Sequence, residues 1–326
     1  MKKHFLLLLL GAAAFRMASA QAEQPTTPDS TLIAFSSDTQ APMFVETLWL
    51  KPTHNKAATR RLFRDIQNRR PGSLFLLGDV VNLGSSNRQW RPMDHYLDNL
   101  REENIGVYAV LGNHEVMGRT QRGIRKFQQR FPEHVPTGYV EVRDSVAIVL
   151  LNSNFSKMSK ADDEAQVAWY EKTLQALDAD SSIQFIITGC HHSPYTNSKI
   201  VHSSVPVQEK FVPAFLSSTK SRLFVSGHSH GFEHYQVSGK DFLVIGGGGG
   251  LHQPLREGAD ALPDLATEYK PLFHYITVKR SSAGLHVQSY CISDDFSSYG
   301  PGLVINVPAV AKDVAAAPQK DNSGTQ

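Results

Sequence analysis

Cysteine is scarce: Cys190 and Cys291 are the only two in 326 residues, far too few for a scaffold stapled by disulfides. An excess of one charge is lacking too, since 33 basic residues face 31 acidic ones for a formal net charge of +2. No basic field therefore argues for nucleic acid as a partner. After the first twenty residues no apolar run approaches the roughly 20 residues that cross a bilayer, so no integral membrane segment is expected in the rest of the chain. What is present is apolar mass, 41% of all residues. That is enough to bury a large core, and it excludes a disordered chain. The length fits one large α/β domain or two smaller ones.

Lys2 and Lys3 precede an apolar run over residues 5–15, and Ala18-Ser19-Ala20 supplies small residues at the two positions a signal peptidase reads. Residues 1–20 thus read as a cleavable secretory signal and the protein as exported, either periplasmic or secreted. The run is too short to span a bilayer, and no cysteine follows it to carry a lipid anchor. Loss of Lys2, Lys3 and Arg16 turns the formal net charge to −1, so the mildly basic character belongs to the leader. Residues 21–30 read as a polar linker, 31–308 as one continuous domain, and 309–326 as an aperiodic, disordered tail.

Within 31–308, apolar stretches of strand length alternate with helical patterns. Strands are predicted at 31–35, 73–77, 107–111, 145–151, 183–188 and 223–225, and helices at 55–70, 92–103 and 162–177. From residue 233 onward the pattern is strand-rich, with runs at 242–245, 275–278 and 285–290. Several of the apolar strands enter polar, Gly-containing loops that hold His, Asp or Asn. In an open α/β sheet such loops gather at the carboxyl ends of the strands.

Five fragments carry the chemistry: Asp38-Thr-Gln40, Gly78-Asp79, Gly112-Asn-His-Glu115, His191-His192-Ser-Pro194 and Gly227-His-Ser-His230. They supply carboxylates, an amide and several imidazoles, a donor set suited to manganese, iron or zinc rather than to calcium or an iron–sulfur cluster. Two such ions clamp a phosphoryl group when they sit about 3.5–4 Å apart and share a carboxylate, for which Asp79 is the natural bridge. Taken singly, Gln40, Asn113 or Asp79 is as well explained as a turn or cap residue. The glycine run 246–250 reads equally as a flexible loop or as a tight backbone passage beside the site.

The five fragments, each after an apolar strand and in this order, resemble the calcineurin-like metallophosphoesterase superfamily, which includes the purple acid phosphatases. The resemblance spans residues 38–230 and implies an α/β fold, a four-layer αββα sandwich of two mixed sheets flanked by helices. It implies two divalent or trivalent metal ions (Mn, Fe or Zn). Asp38, Gln40, Asp79 and His230 would hold one, and Asp79, Asn113, one of His191 and His192, and His228 the other. Of the adjacent pair, His192 matches the family's His-x-Pro spacing to Pro194. A hydroxide shared by the ions would attack phosphorus, while His114 would protonate the departing alkoxide or, with Asn113, contact the phosphate. The substrate implied is a small phosphorylated compound.

Departures narrow that implication. Gln40 stands where most members have His, and a carboxamide oxygen is the weaker donor. Asn82 stands where purple acid phosphatases carry a Tyr ligand, so no charge-transfer colour is expected. The stretch Gly78-Asp-Val-Val-Asn-Leu-Gly84, with Leu111 before Gly112, lacks the phosphate-gripping arginines and the acidic partner for His114 found in protein phosphatases. Protein dephosphorylation is therefore rejected as the leading activity. The leading reading is an exported dinuclear phosphomonoesterase. The alternatives are a phosphodiesterase of the same fold and a non-catalytic metal- or ligand-binding module, against which the presence of His114 argues.

Overall fold

The computed structural model describes residues 27–309. The expected signal at 1–20, the start of the linker and the tail from 310 onward lie outside the described residues. The end of the linker belongs to a strand: β1 spans Asp29–Ser36, because the Asp29 N–H reaches the carbonyl of Arg70 at 2.8 Å and Asp29 pairs with Pro71.

Six strands make the first sheet, in the order β12-β11-β10-β1-β2-β3. These are β1, β2 (Pro71–Leu76), β3 (Gly106–Ala109), β10 (His274–Ser281), β11 (Gly284–Ile292) and β12 (Tyr299–Pro308). The second sheet runs β4-β5-β6-β7-β9-β8, from β4 (Tyr139–Arg143), β5 (Val146–Leu150), β6 (Phe185–Cys190), β7 (Ser221–Ser226), β8 (Phe232–Val237) and β9 (Lys240–Ile245). Both sheets mix parallel and antiparallel neighbours. The helices are α1 (Asn55–Arg69), α2 (Asn87–Glu102), α3 (Asn113–Val116), α4 (Thr120–Gln128), α5 (Lys160–Ala179), α6 (Val205–Lys210) and α7 (Val212–Ser217).

The period-2 alternation of strand side chains sorts the apolar residues into layers. Ile33, Phe35, Phe75 and Leu77 point inward, where they meet Ile148, Leu150, Ile187 and Val225 of the second sheet. Ala34, Leu74 and Leu76 point the other way, onto Leu62 and Ile66 of α1 and Leu97 of α2. On the far side Val149, Ile186 and Phe224 pack against Tyr170 and Leu174 of α5 and Phe215 of α7. Helices cover both outer faces, and the four layers of the αββα sandwich follow. Among the described residues no helix is long and apolar enough to cross a membrane.

Helix α1 ends where Arg70 takes a left-handed φ of 49° and Pro71 follows. Helix α2 begins at Asn87, ahead of the predicted start at 92. Pro92 is accommodated inside it on the exposed face, where its missing N–H leaves the carbonyl of exposed Arg88 without a helical donor.

Candidate metal centre

The predicted site residues all stand just past the carboxyl ends of five strands. From the first sheet β1 leads to Asp38 and Gln40, β2 to Asp79, and β3 to Asn113 and His114. From the second, β6 leads to His191 and His192 and β7 to His228 and His230. The centre therefore lies across the seam between the sheets. Backbone bonds tie its loops together: Asp38 N–H donates to Gly78 O at 3.1 Å, Gln40 N–H to Asp79 O at 3.1 Å, and Gly227 N–H to His191 O at 2.9 Å. Asp38, Asp79 and His228 have φ of 58°, 48° and 65°. Such left-handed backbone costs of order 1–3 kcal/mol per non-glycine residue and persists only where the surroundings enforce it.

Asp79 is the hub. Its Oδ2 lies 3.3 Å from His191 Nε2 and 3.7 Å from His114 Nε2, while its Oδ1 accepts the His114 backbone N–H at 2.8 Å. Asp38 Oδ1 lies 3.3 Å from His230 Nε2, and Asp38 Oδ2 accepts the His228 N–H at 2.9 Å. Nδ1 of His191 donates to Leu77 O at 2.9 Å and Nδ1 of His230 to Leu251 O at 2.7 Å. A carbonyl can only accept, so each neutral ring keeps its lone pair on Nε2, aimed at the carboxylates. That backward bond is how metal-binding imidazoles are held.

Gln40 is oriented by its surroundings. Its amide nitrogen donates to Asp38 O at 3.0 Å and Asp79 O at 2.9 Å, which turns the amide oxygen toward His230 Nε2, 3.4 Å away. Asn113 Oδ1 lies 2.9 Å from His191 Nε2. Of the adjacent histidines, His191 is the one in contact with Asp79 and Asn113. His192, which the spacing to Pro194 favours, has its Nδ1 2.8 Å from Ser153 Oγ and lines a cavity of about 440 Å³ with Asn113 and Lys157. Its ring is nevertheless close to the others, 4.5 Å between centroids from His228.

These residues fit a pair of cations. The buried Asp38 Oδ1 has no hydrogen-bond partner among the described residues, a costly state for a carboxylate oxygen unless a cation sits beside it. Ligand atoms of Asp38, Asp79 and His191 lie within 4.8 Å of one another, as do those of His191, His192 and His228. In the bare chain, burial opposes charge on Asp79, but His191 and His114 hold its carboxyl well below the usual range. Burial likewise disfavours charge on His191, yet the Asp79 carboxylate outweighs it and raises the imidazole to about 9. His228 is driven well down, by burial first and then by His191 and His192. The pattern is that of a carboxylate holding positive charge at its side.

Two supports were not read from the sequence. Glu115, fully buried, accepts the backbone N–H groups of Asp79 at 2.9 Å, Val81 at 3.1 Å and Gly112 at 2.8 Å. Burial, then the nearby Asp79, push its carboxyl up to about 7. The signal was present, since Glu three residues after Gly112 is capping-box spacing. The second support is the backbone carbonyl of Asn82, which takes the Nδ1–H of His114 at 2.9 Å and serves where protein phosphatases use an acidic side chain. The glycine run is the tight passage: a Cβ on Gly250 would lie 2.4 Å from the His230 ring, and one on Gly246 2.1 Å from Ser229 O. Cys190 is buried and both cysteines are free thiols.

The strands, the seam and the donor set agree with one family. Residues 31–232 match the calcineurin-like phosphoesterase model, and the chain belongs to that family of metal-dependent phosphoester hydrolases. Among solved structures, the purple acid phosphatase PPD1 from yellow lupin (Lupinus luteus) seeds aligns with a TM-score of 0.62 at 14% identity, over 86% of this chain and 55% of the lupin chain. The chain thus spans about half the length of that protein. GAP50, the anchor in the inner membrane complex of Plasmodium, aligns with a TM-score of 0.56 at 14% identity, over 87% of this chain and 90% of its own. PhoD aligns with a TM-score of 0.51 at 8% identity, over 89% and 72%. At these identities the likeness is one of fold. No curated protein matches the chain in sequence.

Proposed function

We propose that the protein is an exported dinuclear phosphomonoesterase acting on a small phosphorylated compound. The observation that carries this reading is the buried Asp38 Oδ1, without a hydrogen bond among the described residues, beside the Asp79 carboxylate, which has His114 Nε2 3.7 Å away. Asp38, Gln40, Asp79 and His230 are assigned to one ion, and Asp79, Asn113, His191 and His228 to the other. When bound, such ions neutralise phosphoryl charge and lower the pKa of water.

The chain's own groups do the rest. Because Nδ1–H of His114 is committed to Asn82 O, its Nε2 carries a proton only in the doubly protonated ring, 3.7 Å from the Asp79 carboxylate. Delivered to the departing oxygen, the proton makes the leaving group an alcohol. His192, held through Nδ1 by Ser153, and Lys157 face the cavity in which the phosphoryl oxygens lie. A second reading, phosphodiester hydrolysis, is favoured by one feature: the 440 Å³ cavity and another of about 710 Å³ lie on either side of Met117, which lines both.

The test is hydrolysis of alkyl and nitrophenyl mono- and diesters with Mn, Fe or Zn added, together with metal analysis. Asp79→Asn is expected to lower metal content and turnover together. His114→Ala is expected to keep its metal and to lower kcat by roughly 10²–10⁴-fold on alkyl esters, and by less on nitrophenyl esters. Full metal and full turnover in Asp79→Asn would overturn the assignment.

A further inference from the structure

We propose that the 710 Å³ cavity beside His114 receives the alcohol portion of the substrate, and that this portion is a large apolar group. The proposal rests on the phosphoesterase reading and names the substrate class for the same site. The cavity is bounded by two loops of the centre. Thr39, in its wall, lies between Asp38 and Gln40, and Asn82, also in its wall, holds His114 through its carbonyl.

Hydrolysis breaks the bond from phosphorus to the alcohol oxygen and forms one from phosphorus to the oxygen of water, and the departing oxygen takes its proton from His114 Nε2. The carbon skeleton of the alcohol then extends past His114, and this cavity is the one whose wall includes Asn82, the residue that orients His114.

Its walls are Met43, Phe44, Met93, Tyr96 and Met117, an apolar set in which three methionines adapt to varied shapes. Of the polar side chains in the wall, Gln89, Lys56 and Arg88 stand beside three that are engaged with backbone. Thr39 Oγ1 donates to Val80 O at 3.1 Å, Thr59 Oγ1 to Gly248 O at 3.0 Å, and Asn82 Nδ2 to Ala41 O at 3.2 Å. They do not reach out to read a sugar or a polyol.

The apolar surface continues outward. Phe44 is 79% exposed, Leu48 64% and Trp49 85%, and exposed Lys56 and Arg88 stand at the mouth. An apolar rim with cations at its edge suits an amphiphilic phosphate, whether dispersed in water or seated in a lipid surface.

The experiment compares kcat/KM on methyl, butyl, hexyl and octyl phosphate, whose leaving groups are chemically alike. The expected result is a rise of about three- to fourfold per methylene until the cavity is filled, with glycerol phosphate no better than methyl phosphate. Met43→Glu should lower the octyl-to-methyl ratio at least tenfold, and a ratio is insensitive to how much of a variant folds. A flat series in which methyl phosphate is still hydrolysed overturns the cavity assignment and leaves the phosphoesterase reading standing. Hydrolysis of no ester with any of the three metals overturns both. Dioctanoyl phosphatidate, dispersed or in phosphatidylcholine vesicles, separates the two sources. A faster vesicle rate that Trp49→Ala selectively removes assigns the lipid surface, and equal rates assign the dispersed amphiphile.

Discussion

At the scale of single residues the question is which atom of Gln40 faces the centre. Two backbone carbonyls, of Asp38 and Asp79, claim its amide nitrogen. Gln40→Glu would set carboxylate oxygens against both and lose two buried hydrogen bonds. With chelator present, the variant should unfold at lower urea concentration, with a loss of about 2–4 kcal/mol, and a midpoint equal to the parent's would refute this orientation. Gln40 stood out in the sequence as a departure, but its orientation did not, because only the folded loops bring those carbonyls together. The histidine pair teaches the same point. Both residues lie beyond the end of β6, His191 in contact with Asp79 and His192 with Ser153, yet both beside His228, and the spacing to Pro194 does not tell these two positions apart. His114 was legible from its fragment. The carbonyl of Asn82 that orients it was not, because a backbone acceptor leaves no trace in residue identity.

At the scale of elements, the loop after β3 is held by Glu115 rather than by its own hydrogen bonds. Three backbone N–H groups converge on one carboxylate, so Glu115→Ala should strand three buried donors and cost about 3 kcal/mol or more. It should also weaken metal retention, since two of those donors belong to Asp79 and to Gly112 beside Asn113. Calorimetric unfolding with and without chelator checks both effects, and an unchanged Tm in chelator would show the clamp to be dispensable. Strands announced by pure apolar runs, such as β2, β5 and β6, were legible. Three others were not. β12 contains Gly300, Pro301 and Gly302, tolerated because it is an edge strand. β8 reads Phe-Glu-His-Tyr, and its buried Glu233 is satisfied by Thr196 Oγ1 at 2.6 Å, Asn197 N–H at 2.6 Å and Tyr235 OH. β4, at the other edge, has a partly exposed, charged pattern.

At the scale of the molecule, acid should weaken the fold through a histidine that is not part of the centre. His134 is buried at the edge of Phe127, 5.2 Å between centroids, with no hydrogen bond to Nδ1 among the described residues, and burial lowers its imidazole from 6.5 to about 4. The unfolded chain therefore binds the proton first as pH falls. The stability this histidine contributes is intact above pH 6.5 and is lost on the way down through pH 4. Between pH 7 and pH 5 the loss is about 2 kcal/mol. His134→Leu should remove that part of the pH dependence, and urea midpoints at the two pH values that shift equally in parent and variant would refute it. The layered α/β character was legible at this scale because it is written in alternation. The sheet order was not, and one pairing in it has a consequence for how the protein is made. β1 is flanked by β2 on one side and by β10 on the other, with Ile33 opposite Val278. A ribosome that has delivered the strands through β9 has delivered the residues of the centre, yet β1 still lacks its neighbour, and the first sheet is open along its middle. Closure waits for the second half of the sheet to be synthesised, so the N-terminal strands are made early and buried late, and until then their exposed edge needs shelter from other chains.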